Sequence, residues 1–131
     1  MRNEKFFIDY CNEMMRSAIL LFGSEMEKHR LTKLELGHGI DFLGSPHPVG
    51  EAWLTEPFSI YAKTRNPKLG EDGEIETIQI TICPAEGWKP ILSVSSTSLD
   101  PVMFETNYSA EKDFDMIRKK IEQCFAQLKA D

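Results

Sequence analysis

The chain has 131 residues, of which 41% are hydrophobic and 27% are charged, and its net charge at pH 7 is −6. This length and composition predict one globular domain over residues 1–131, large enough to bury a core without disulfides or metals. The negative charge argues against nucleic-acid binding, which needs Lys and Arg opposite the phosphates. No apolar run approaches the ~20 residues that span a bilayer, so we expect no membrane partner.

Cysteine usage indicates the compartment. Cys11, Cys83 and Cys124 stand far apart and form no CxxC motif. An odd number of widely spaced cysteines is typical of a reduced, cytoplasmic protein with free thiols. The first residues are basic, but Asp9 and Glu13 interrupt the segment that follows, so we predict no signal peptide.

The first predicted element is a long helix from Lys5 to about Met26. Its apolar residues recur at steps of three and four and cover about half of the helix circumference, more than a helix lying on one sheet requires. Either this helix packs against both a sheet and a second helix, or part of the apolar arc meets another chain. One edge of the arc, formed by Met15, Ile19 and Met26, is the predicted interface. A homodimer about a two-fold axis is the simplest partner for it.

Four or five strands follow, and the clearest two form a hairpin. Ile78, Ile80 and Ile82 alternate with polar residues, which is the period of a strand with one buried face. Pro57 cannot donate to a ladder, which predicts that its strand is an edge strand or is broken there. The predicted strands are Leu31–Phe42, Glu51–Lys63, Glu74–Cys83, Ile91–Ser98 and Val102–Asn107, with the hairpin loop at Pro84–Pro90 and a turn at Leu99–Pro101.

The last predicted element is a helix over Ser109–Lys129. Ser109 is a suitable N-cap, and Glu111 and Asp113 stand in the first turn, where the helix dipole favours acidic residues. One apolar stripe runs along the helix, formed by Phe114, Ile117, Ile121, Cys124 and Leu128. Together these patterns predict an α+β fold, with an antiparallel meander sheet of four to five strands and the N- and C-terminal helices packed on one face.

The three histidines offer the first candidate chemistry. His29, His38 and His47 are nine residues apart, but zinc sites use shorter ligand spacings, so we expect no metal and no other cofactor. His38 falls between Leu36 and Ile40 on the apolar side of its predicted strand. A half-buried imidazole there would act as an acid, a base or a ligand near neutral pH. The alternative is a histidine at the edge of the core, bonded to a backbone carbonyl.

A small-ligand site near His38 would draw on Asp41, Trp53 and Trp88. Aromatic side chains dominate binding surfaces, and Trp88 lies in the predicted hairpin loop. The alternative for Trp88 is a side chain that covers one end of the core. Cys83 has no evident base to activate it, so we expect no catalytic nucleophile there.

The sequence therefore favours a small, acidic, cytoplasmic protein-binding or adaptor module that forms a homodimer, rather than an enzyme. It is similar to acidic secretion chaperones and immunity proteins in size and charge only. The alternative is a small-ligand-binding domain or an enzyme with a pocket between the sheet and the helices near His38. A flat apolar patch favours the first function, and a pocket with convergent polar groups favours the second.

Overall fold

The computed structural model of the protein describes residues 4–38, 58–65, 75–85, 89–97 and 99–128. In chain order these residues form α1 (Glu4–Lys28), β1 (Thr32–His38), β2 (Phe58–Arg65), β3 (Glu76–Ala85), β4 (Lys89–Ser96), β5 (Leu99–Phe104) and α2 (Ala110–Gln127). The strands form one antiparallel sheet in the order β1-β2-β3-β4-β5. The predicted α+β class, with its meander sheet and two terminal helices, is confirmed.

Alternation of apolar and polar residues gives the sheet its two different faces. Ile80 pairs with Ile60 on β2 and with Val94 on β4, and all three are buried. Because directly opposed residues share a face, this register builds a continuous apolar layer across three strands. The other face is polar; there the Gln79 amide donates to the Ser59 and Thr81 hydroxyls, each at 3.1 Å.

Three predicted strand boundaries differ from the structure. β2 spans Phe58–Arg65 and lies between β1 and β3, so it is not an edge strand. The alternative prediction, a break at Pro57, falls in residues 51–57, which lie outside the described residues. The hairpin ladder continues through the opposed pair Pro84 and Pro90. Alternate pairs of an antiparallel ladder exchange no hydrogen bonds, so two opposed prolines fit there without losing a donor. The predicted turn at Leu99–Pro101 belongs to β5 instead.

Both helices pack on the apolar face of the sheet. α1 contacts α2, β1 and β2, whereas α2 contacts β3 and β4. The two helices run in the same direction, because Tyr10 contacts Asp113 near their first turns and the Phe22 and Phe125 rings lie 5.8 Å apart further along. Packing against both the sheet and α2 explains most of the broad apolar arc of α1.

The end of α1 explains the position of Met26. The Leu31 amide donates to the Met26 carbonyl at 2.8 Å and the Arg30 amide donates to the Glu27 carbonyl at 3.1 Å. With Arg30 at φ 56°, these bonds form a Schellman motif, which brings the residues at its two ends into apolar contact. Met26 is accordingly 2% exposed in the core. This corrects its predicted place at an interface.

Candidate functional site

A buried polar cluster fixes α1 against the start of α2. The Asp113 carboxylate is 0% exposed and accepts from the Tyr10 hydroxyl at 2.5 Å and the Thr106 hydroxyl at 2.6 Å. It also accepts from the backbone nitrogen of Asn107 at 2.7 Å and from its side-chain nitrogen at 3.1 Å. Burial, and then the bond to Asp113, raise the pKa of the Tyr10 hydroxyl. These satisfied donors make the cluster a structural clamp between the two helices.

The clamped helices leave a groove between them on the side away from the sheet. Its volume is about 510 Å³. Leu21 and Phe114 form an apolar floor, and both belong to the core. Leu20 stands at the rim with 75% of its surface exposed. The groove therefore offers an apolar floor beside an exposed apolar side chain.

A second hollow lies on the other side of Leu20. It has a volume of about 370 Å³ and is lined by Met15, Arg16, Ile19 and Leu20. Met15 and Ile19 are half-buried and pack against the core. The two concavities share Leu20, and we call them together the Leu20 surface.

The walls of the groove are acidic. Glu13 projects from α1, and Glu111 and Asp115 project from α2. No ion pair joins any of these three carboxylates to another of the described residues. Arg118 is the one cation in the described lining, and its guanidinium carbon lies 5.3 Å from the centroid of the Phe114 ring. The groove is thus lined by three carboxylates and one guanidinium, and the guanidinium lies over the Phe114 ring in the floor of the groove.

His38 lies on the predicted face of its strand but is more exposed than expected. It pairs with Ile60, which places it on the side of the sheet that faces the helices, and its ring lies 5.7 Å from that of Phe58. It is nevertheless exposed, which corrects the predicted half-buried imidazole. The reason is its position at the end of β1, which has β2 as its one neighbour among the strands that the structure describes.

The remaining residues of the predicted ligand site, Asp41, Trp53 and Trp88, lie outside the described residues. His38 lines neither concavity of the Leu20 surface. The pocket near His38 therefore stays a prediction. Within the described ranges, no group of three or more His, Cys, Asp or Glu side chains stands close enough to hold a metal ion.

All three cysteines are free thiols, with Cys11 and Cys124 buried and Cys83 half-buried. Burial raises the pKa of each thiol, most strongly that of Cys11. A raised thiol pKa lowers the fraction of thiolate at neutral pH, and the thiolate is the reactive form. This chemistry disfavours a cysteine nucleophile.

Comparison of the chain with models of protein families, with curated proteins and with solved structures finds no match. Neither described helix is long and apolar enough to cross a membrane. The fold and the site define an α+β domain whose helices cover one face of a sheet and carry an acidic, apolar-floored groove on their outer side.

Proposed function

We propose that the protein is a small, acidic protein-binding or adaptor module and that the Leu20 surface is its binding surface. The observation that carries this proposal is the exposed Leu20 side chain between two concavities. A single exposed leucine is ordinary on a protein surface. An exposed apolar side chain that stands between an apolar-floored groove and a second concavity is the pattern of an interaction site, because anchors and pockets at its centre supply most binding energy.

The chemistry of the groove supports binding rather than catalysis. Its described lining contains carboxylates, two serines, apolar side chains and Arg118, with no histidine or cysteine among them. The serines therefore have no imidazole beside them in that lining to act as a base. We also propose that the protein works in the cytoplasm, since its three free thiols suit a reducing compartment.

Binding to a partner can be tested with two matched variants. Leu20→Gln keeps a good helix former at an exposed position and removes the apolar anchor. Met103→Gln makes the same kind of change on β5, where Met103 is 63% exposed and opposes Ser93 on the sheet face away from the helices. In quantitative capture from native cytoplasm, we expect proteins that the wild type and Met103→Gln retain and Leu20→Gln loses. Identical capture by both variants would reject the Leu20 surface as the binding site.

A homodimer is the second candidate, favoured by the hollow beside Met15 and Ile19. At a two-fold interface each residue meets the same patch of the partner, so these half-buried side chains would cover one another. We expect Ile19→Glu to give monomers with unchanged circular dichroism. Sedimentation of the wild type as a monomer at high micromolar concentration would exclude the homodimer, and unfolding of Ile19→Glu would assign Ile19 to the internal core.

A further inference from the structure

We infer, resting on the proposed function, that the partner segment that fills the groove is a basic amphipathic helix. The first argument is shape. Along α1 the groove extends from Glu13 to Ser24, which is about 17 Å at about 1.5 Å per residue. Three turns of helix have this length. A helix laid in such a groove places apolar residues at successive turns onto the floor formed by Leu21 and Phe114.

The second argument is charge. Glu13, Glu111 and Asp115 form no ion pair with other described residues, so their charges face whatever enters the groove. Lysine and arginine residues that flank the apolar stripe of a partner helix would stand against these carboxylates. Complementary charges of this kind steer encounter and select the partner, and salt weakens them.

The same charges disfavour other occupants. A second copy of this chain has a net charge of −6 and would bring an identical acidic groove against the first. Like charges brought together at an interface oppose association. An anionic lipid surface or a nucleic acid meets the same repulsion. A cationic partner with an apolar stripe is the class for which both the acidic walls and the apolar floor of the groove favour binding.

The Arg118 side chain covers part of the apolar floor of the groove. Its guanidinium lies over the Phe114 ring, the part of the floor that an incoming apolar side chain would contact. Arg118 also carries the charge that opposes a basic partner. Removing it should uncover the ring and leave the three carboxylates unopposed. Arg118→Gln is therefore expected to tighten binding, an effect that general damage to the fold would not produce.

The inference can be tested with synthetic probes. We would label a peptide of about 18 residues with leucines spaced three and four apart and lysines on both flanks of that stripe. A second peptide carries glutamate in place of every lysine, and a third is a scrambled form of the basic one. Fluorescence anisotropy on the full chain should show saturable binding of the basic amphipathic peptide alone, weakening as salt rises to roughly 0.5 M.

Variants then assign the binding to the groove. Leu20→Gln should weaken binding roughly tenfold to a hundredfold, as expected for losing one buried leucine contact. Combined Glu13→Gln, Glu111→Gln and Asp115→Asn should weaken it about tenfold at low salt. Arg118→Gln should tighten it by about threefold, and Met103→Gln should leave it unchanged. Equal binding of the acidic and basic peptides, or no effect of Leu20→Gln, would overturn the inference.

The two proposals fail in distinguishable ways. Cytoplasmic proteins that depend on Leu20 but are retained by the triple neutral variant and at high salt would support a protein-binding module and reject the basic helix. Proteins captured equally by Leu20→Gln and Met103→Gln would reject the binding surface itself.

Discussion

The buried carboxylate of Asp113 offers the sharpest test of how the two helices are held together. Asp113→Ala removes the acceptor of hydrogen bonds from the Tyr10 hydroxyl, the Thr106 hydroxyl and two nitrogens of Asn107. The buried Tyr10 hydroxyl then loses its carboxylate acceptor and is left beside the Thr106 hydroxyl, which costs about 1–3 kcal/mol. Each lost bond that water replaces costs about 0.5–1 kcal/mol. We therefore expect unfolding free energy to fall by about 3–5 kcal/mol.

Tyr10→Phe separates one bond from the rest of the cluster. It removes the hydroxyl and leaves Asp113 with its donors from Thr106 and Asn107, so we expect a loss of about 1.5–3 kcal/mol. The double variant should lose at least about 1 kcal/mol less than the sum of the two single losses, because each removes the same bond.

Urea unfolding followed by circular dichroism measures these free energies. Asp115→Ala is the matched control, since Asp115 is exposed on the same helix, and it should change stability by less than about 0.5 kcal/mol. A cost below about 1 kcal/mol for Asp113→Ala, or additive losses in the double variant, would show that the clamp does not hold the helices together.

Four further predictions concern stability and the thiols. The pKa of Tyr10 in the folded chain lies above its ordinary value of 10.0, so the unfolded chain loses the hydroxyl proton first as pH rises. The unfolding free energy should therefore fall above pH ~10, by up to about 1.4 kcal/mol per pH unit. Urea unfolding across this range should show a smaller fall in Tyr10→Phe. Gly23→Ala should stabilise by about 0.5–1 kcal/mol in the same assay, since a Cβ there meets nothing within 4 Å. Arg30→Gly should raise the unfolding free energy by about 1 kcal/mol, because glycine adopts the positive φ of this position without strain. A lower unfolding free energy in either variant would contradict the described geometry of α1 and its C-terminal cap. Thiol titration should modify Cys83 before the two buried cysteines and count three thiols after denaturation without reductant; a count of one would reveal a disulfide.

The parts of the fold that follow from local periodicity could be predicted from the sequence. The alternation of Ile78, Ile80 and Ile82 predicted one buried face of β3, and all three are buried. The stripe from Phe114 to Leu128 likewise predicted the buried face of α2. Both succeeded because each element buries a single face, so that burial follows the period of the backbone.

The clamp could not be predicted in this way, because its partners are far apart in the chain. Asp113 stands in a first helical turn, where an acidic residue needs no other explanation. Its bond to Tyr10 joins residues separated by 103 positions. The one available signal was Tyr10 itself, since a tyrosine on an apolar helix face needs a partner for its hydroxyl when buried.

Two errors at the ends of elements have a common cause. His38 was expected to be half-buried because it follows the alternation of its strand, but alternation says nothing about whether a neighbouring strand covers that position. Met26 was expected at an interface because it lies at one edge of the broad apolar arc of α1. The cap that buries it gives no glycine signal in the sequence, since Arg30 takes the left-handed conformation. In both cases the burial of the side chain depends on its position in the tertiary structure, which the local sequence pattern does not reveal.

The shift of the candidate interface from Ile19 to Leu20 follows from the same limit. The apolar pattern of α1 predicted Ile19 at the uncovered edge of the apolar arc. On the same helical period Leu20 falls on the polar side. In the structure Ile19 packs partly against the core, whereas Leu20 is 75% exposed. Adjacent residues on a helix point about 100° apart, so the two side chains face different surroundings. A partner that depends on Ile19 must meet the hollow on α1 alone, but one that depends on Leu20 can also meet the acidic walls beside α2. Comparing Ile19 and Leu20 variants would therefore distinguish the proposed homodimer from the proposed basic partner.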